Sequence, residues 1–186
     1  MAILWGGFAY RHAMAFGETA DISYLLVCLS ETIAAVLFLF RTTPVSISTD
    51  PFDWFFGIAG ALLPLLFAPA SWGVLPAAKI AIVLGLVMQI AGLLSLNRSF
   101  AIVAARREIK TCGMYRYVRH PLYASYLVMF SGYVLTNTTP MNLMIYLITV
   151  GFLFVRIDRE EKQLVFDQAY SAYQQRVTYR LIPFVF

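Results

Sequence analysis

Charged side chains are scarce in this sequence: 13% of its 186 residues are Asp, Glu, Lys or Arg, against 60% that are hydrophobic. A soluble domain carries about a quarter charged residues, so this balance, with a mean hydropathy of +0.72, points to lipid as the solvent. Cysteine is nearly absent. Cys28 and Cys112 stand far apart, one in an apolar run and one in a polar loop, so no disulfide framework or metal-ligand spacing is visible. Missing as well are a phosphate-cradling glycine loop, a Ser/His/Asp order and a His-Glu-x-x-His zinc helix. No stretch alternates with period two, which excludes membrane strands. The first apolar stretch lacks a basic start and is broken by Arg11 and His12, so no cleavable leader is expected.

Long apolar runs are what the sequence has. They fall at 22–40, 52–68 and 77–96, near the roughly 20 residues that a bilayer crossing takes. Two shorter runs, 121–135 and 141–155, flank a turn signal at 136–140 and can cross if their helices continue into polar flanks. The expected fold is an all-α integral membrane domain covering 1–186. It has about five transmembrane helices, a polar loop at 97–120 and a C-terminal amphipathic helix. Five crossings put the two ends of the chain on opposite sides. Arg41, Arg98, Arg106, Arg107, Lys110, Arg116, Arg119, Arg156, Arg159, Lys162, Arg176 and Arg180 fall on one side, and only Arg11 and Lys79 on the other. The positive-inside rule then places the loop and the C-terminus in the cytoplasm and the N-terminus outside. Residues 1–16 are too short to span and are expected in the outer interface or against the bundle. Over 156–177, Phe166, Ala169, Tyr170, Tyr173 and Val177 recur at helical spacing, giving a helix that lies on the membrane or folds back over the loop.

Polar and aromatic side chains concentrate at 113–123, ahead of the fourth run. Pro121 fits the first helical position and pushes His120 toward extended geometry, fixing the imidazole where helix N-terminal amides attract an anion. Arg116 and Arg119 with Tyr115, Tyr117 and Tyr123 also read singly as interfacial anchors. A second cluster, 156–162, puts Arg156 and Glu160 on one helix face, while Asp158, Arg159 and Glu161 point elsewhere. That pair alone reads equally as a solvated ion pair. Glu31 and Gln89 are the polar residues inside the spans, and an acid in hydrocarbon usually faces the bundle interior or water. The basic residues lie beside apolar spans and read as membrane anchors, so no nucleic-acid partner is expected.

Taken in order, Gly113-x-Tyr115-x-x-x-Arg119-His120-Pro121-x-Tyr123, the stretch 156–164 with Glu160-Glu161, and Tyr170-x-x-Tyr173-x-x-x-Val177 resemble the isoprenylcysteine carboxyl methyltransferase family. The relatives of that family include bacterial membrane phospholipid methyltransferases. The likeness covers roughly the C-terminal half. It implies methyl transfer from S-adenosylmethionine, with S-adenosylhomocysteine as product, in a bacterial inner membrane. It also implies a cofactor pocket built from 97–123 and 156–183, with a lipidic or prenylated acceptor entering from the bilayer. Carried over by position, Ile109, Lys110, Tyr115, His120, Pro121, Leu122, Tyr123 and Glu160 would line the cofactor site, and Arg156, Arg119 and Arg176 would face the acceptor. Arginines favour a carboxylate acceptor, which needs no base and is oriented by paired hydrogen bonds. Cys112, Met114 and Ser125 depart from the family's usual residues and bear on the substrate more than on the cofactor. Three alternatives stay open: a phospholipid amine N-methyltransferase, a nicotinamide-dependent membrane reductase with a similar Arg-His-Pro region, and a non-catalytic transport or scaffold protein using Glu31 and Gln89.

Overall fold

The computed structural model describes residues 2–103, 105–106 and 108–186; Met1 and Arg107, which enter the readings above, lie outside them. Its helices are α1 (Ala2–Thr19), α2 (Ile22–Leu39), α3 (Pro51–Leu62), α4 (Lys79–Leu96), α5 (Pro121–Thr136), α6 (Pro140–Leu164) and α7 (Gln168–Arg176). The starts are written in the sequence. Asp21, Asp50, Thr139 and Asp167 each accept a backbone N–H from the first turn of the helix that follows. Pro51, Pro121 and Pro140 occupy the first turn, where a missing N–H is harmless. Among the described residues the extended structure is one short antiparallel pairing, β1 (Ser46–Ile47) with β2 (Ala105–Arg106).

Three helices are long and apolar enough to cross a bilayer: α2, the stretch Pro76–Ser99 that contains α4, and α6. The protein is an integral membrane protein. α3, with the 3-10 turn Leu63–Leu66 that prolongs it, is a shorter apolar helix over the second run, and the 16-residue α5 covers the fourth.

Neighbouring helices alternate in direction. Trp5, early in α1, packs edge-on against Phe38, late in α2, with ring centroids 5.4 Å apart, and it reaches Phe100 at 5.7 Å. His12 faces Tyr24 at the other end of that hairpin. Lys79 at the start of α4 pairs with Asp21 before α2, and its hydrogen bond holds the Asp21 carboxyl down at about 2, so the pair stays charged. Ser131 of α5 meets Tyr146 of α6, and Arg159 late in α6 pairs with Asp50 and Asp53 at the start of α3. Helices α1 to α6 therefore run back and forth between an end carrying the loop 97–120 and α7, and an opposite end of turns.

Two expectations change. Residues 2–16 belong to α1, which packs against α2, one of the two placements expected of that stretch, but the aromatic seam of Trp5, Phe38 and Phe100 puts the start of the helix at the loop end. The start of α1 and the C-terminal α7 thus share one end, not opposite ends. The amphipathic helix over 156–177 is two pieces, because α6 runs on to Leu164 and Asp167 caps a fresh start by accepting from the Ala169 N–H.

The closest helix pair is α4 with α5. A Cβ added at Gly85 would sit 2.6 Å from the Met129 backbone nitrogen, so hydrogen as a side chain is what permits this approach. Gly85→Val is expected to destabilise the protein by about 1–3 kcal/mol through overpacking. Thermal unfolding in detergent checks it, and an unchanged midpoint would contradict the close approach.

Candidate functional site

The loop end is tied together by one carboxylate. Pro121 opens α5, and the non-helical Arg119 and His120 before it donate their N–H groups to the carbonyls of Tyr179 (2.9 Å) and Arg180 (2.8 Å); His120, at φ -126° and ψ 63°, falls short of the extended geometry expected of it. The buried Arg119 guanidinium donates through Nε to Glu161 (2.7 Å) and through Nη1 to the carbonyls of Val177 (2.8 Å) and Thr178 (2.7 Å). Glu161 also lies 3.1 Å from His120 Nε2 and accepts from Arg180 Nε at 3.0 Å and Nη2 at 2.8 Å. The start of α5, the end of α6 and the segment after α7 therefore meet on a single side chain.

Glu160 does something else. Successive helical residues diverge by about 100°, so Glu160 turns away from the Arg119 cluster, accepts a hydrogen bond from the Tyr123 hydroxyl and lies 3.9 Å from His120 Nδ1. Tyr123 stacks on the His120 ring at 5.6 Å, and the Arg156 guanidinium lies over the other ring system at 5.1 Å from the Tyr123 centroid. Arg156 Nη2 donates to the Ile102 carbonyl at 3.0 Å, while its Nε is buried with no hydrogen-bond partner among the described residues.

The loop is held down by α7. Tyr115, Tyr170, Tyr173 and Val177 form a buried cluster, and the Tyr173 hydroxyl donates to the Tyr115 carbonyl at 2.7 Å. Burial holds that hydroxyl above the ordinary tyrosine range, so it remains a donor. Gly113 supplies the left-handed turn at φ +58° that starts the segment, with the Ser95 hydroxyl accepting from the Met114 N–H at 3.2 Å.

These elements wall a cavity of about 990 Å³, at the upper end of the roughly 300–1,000 Å³ of small-molecule sites. Ile109, Lys110 and Tyr115 reach its wall from the loop, Arg119, His120, Leu122 and Tyr123 from the start of α5, and Arg156 and Glu160 from α6. Pro121 is fully buried and does not line it; Arg176 is exposed at the end of α7, off the cavity. Arg119 touches the wall, but its Nε and Nη1 donors are committed to Glu161 and two carbonyls, which makes it a brace for the site. The cavity continues between α2, α4 and α5, where Glu31, Gln89 and Tyr126 line it. Sequence reasoning missed Tyr126 and the Glu161–Arg180 contact; the available signals were the helical spacing from Tyr123 to Tyr126 and the acid pair Glu160-Glu161.

Residues 77–166 match the family described as the isoprenylcysteine carboxyl methyltransferase (ICMT) family. The match covers just under half of the chain. The ICMT stretch begins just ahead of α4 and ends just past α6, so it holds His120, Tyr123, Arg156, Glu160 and Glu161 but stops short of α7. The resemblance expected from sequence started later and ran on through 170–183. A segment of 78 residues, 41% of this chain, is 36% identical to Methanethiol S-methyltransferase 1 of Bradyrhizobium diazoefficiens. That alignment spans 26% of the relative's length. Similarity to the ICMT family brings a methyl donor into consideration for the cavity.

Proposed function

We propose that this protein transfers a methyl group from S-adenosylmethionine to an acceptor lodged in the apolar part of the cavity. The observation that carries the reading is that His120 and Glu160, far apart in the chain, share one cavity wall with Tyr123 between them. The cavity volume and donor set suit the cofactor. Glu160 would accept hydrogen bonds from ribose hydroxyls or an amino group. His120 and the first N–H groups of α5 would hold a carboxylate. Ile109, Lys110, Tyr115 and Leu122 would complete the enclosure. When bound, S-adenosylmethionine supplies a methyl group on an electrophilic sulfonium. The walls orient the reactants and exclude water, which is where most of the acceleration of a displacement arises.

The acceptor is a lipid or lipid-like molecule entering from the bilayer, and Arg156, with a buried and unpartnered Nε, is suited to orient a carboxylate. Methylation of a thiol is the second reading, favoured by the name of the aligned relative. Helices α2 to α6 are the five crossings, α1 is a sixth pass beside α2, and the arginine-rich loop end faces the cytoplasm of a bacterial inner membrane. The chain forms one methyltransferase domain over 1–186, with 97–123 and 156–183 around the cofactor.

Calorimetry on purified protein in detergent tests this. S-adenosylhomocysteine is expected to bind at micromolar or better affinity and NADPH not to bind. No heat with S-adenosylhomocysteine in folded protein would remove the reading, and binding of NADPH in its place would favour a reductase.

A further inference from the structure

The part of the cavity beyond the cofactor region carries polar groups that methyl-donor binding does not use. Gln89 of α4 is 7% exposed, lines the cavity, and its Oε1 has no hydrogen-bond partner among the described residues. A buried amide oxygen left unpaired is destabilising, and a ligand that donates to it recovers the lost hydrogen bond. Rotation about its last side-chain bond exchanges oxygen and nitrogen, so its acceptor can be turned to the cavity without moving the backbone. Glu31 of α2 lines the same cavity from the facing helix and is inside an apolar span, where an unpaired acid is costly. Tyr126 lines the same cavity with its ring centroid 6.2 Å from that of Tyr123, which joins this region to the proposed methyl-transfer end.

We infer that Glu31 and Gln89 form a binding subsite, within the bilayer-level part of the cavity, for a hydrogen-bond-donating group such as a hydroxyl or amine on an elongated apolar acceptor. The inference rests on the methyl-transfer reading for the word acceptor; the subsite itself rests on the two side chains. Both side chains offer acceptor oxygens from opposite helices, so an amine can donate to each and a hydroxyl to one of them, whereas an alkyl or ether group donates to neither. The acceptor is thereby narrowed to a molecule with an apolar body and a protic group set back from the reacting atom.

Two probes differing in a single hydrogen-bond donor test the subsite. Tryptophan fluorescence, to which Trp5 on the cavity wall contributes, follows titration of the purified protein with dodecan-1-ol and with 1-methoxydodecane. The wild-type protein is expected to bind the alcohol at least tenfold more tightly than the ether, and the Glu31→Leu/Gln89→Leu protein to show a ratio below twofold. Equal affinities in the wild type, or an undiminished ratio in the double variant, would overturn the subsite. If the double variant does not fold, Gln89→Leu alone is expected to lower the ratio at least threefold, and an unchanged ratio overturns the subsite equally. S-adenosylhomocysteine calorimetry on the same wild-type sample separates the two ideas. Its failure removes methyl transfer and leaves the alcohol-to-ether ratio standing as a measure of the subsite.

Discussion

Glu161→Ala is expected to collapse the loop end, lowering stability by about 3–5 kcal/mol, the range seen when one member of a buried ion pair is removed. The side chains of Arg119 and Glu161 are 6% and 7% exposed, so the guanidinium left behind is a buried charge without its carboxylate. Arg180 and His120 lose the same partner. Glu161→Gln keeps the shape and part of the hydrogen bonding and is expected to cost less, because an uncharged amide still accepts one donor while offering a clash to the others. Thermal unfolding in detergent reads the series. A midpoint within one or two degrees of wild type for Glu161→Ala would mean that the three strands of chain are held by something other than this carboxylate.

Glu160→Ala is expected to have the opposite profile: S-adenosylhomocysteine affinity falls at least 100-fold while the unfolding midpoint stays close to wild type. Hydrogen bonds to a charged group contribute about 1.5–3 kcal/mol each, and losing two of them corresponds to a factor of roughly 100 or more. Glu160 is more open than its neighbour, with 24% of its side chain exposed, and the group that donates to it is the Tyr123 hydroxyl, which can turn to another acceptor. Calorimetry paired with thermal unfolding checks both halves. Retained affinity would take Glu160 out of the proposed cofactor site, and a large drop in midpoint would reassign it to holding the fold.

The helix starts were legible because their signals are local: Asp21, Asp50 and Thr139 are capping residues, and Pro51, Pro121 and Pro140 stand where helices begin. The apolar runs located the starts of α2 to α6 to within two residues and the ends of α2, α4 and α5 to within one, whereas α3 stops at Leu62 and α6 runs on to Leu164. The pass made by α1 was not legible, since Arg11 and His12 interrupt its apolar run and its place is set by Trp5 against Phe38 and Phe100, contacts distant in sequence. The split between α6 and α7 had a local signal in Asp167 that the helical spacing of Tyr170, Tyr173 and Val177 overrode. In the site, His120, Tyr123, Arg156 and Glu160 could be gathered from two short strings, each with its own helical or proline constraint. The divergence of Glu160 from Glu161 follows from helix geometry alone, but that Glu161 would meet Arg119, His120 and Arg180 required the fold. Arg176 was misassigned because α7 turns Tyr170 and Tyr173 inward and leaves its last residue facing out.

Adjacent acids serving separate partners make the length of α6 a counted quantity. Deleting one residue between Pro140 and Glu160 would rotate everything beyond the deletion by about 100° and shift it by about 1.5 Å. The second acid would then face the hollow and the following lysine the arginine–histidine knot, with Arg159 swung off its aspartates. Turns at the far end can lose or gain residues and leave this register intact; the helix that ends here cannot.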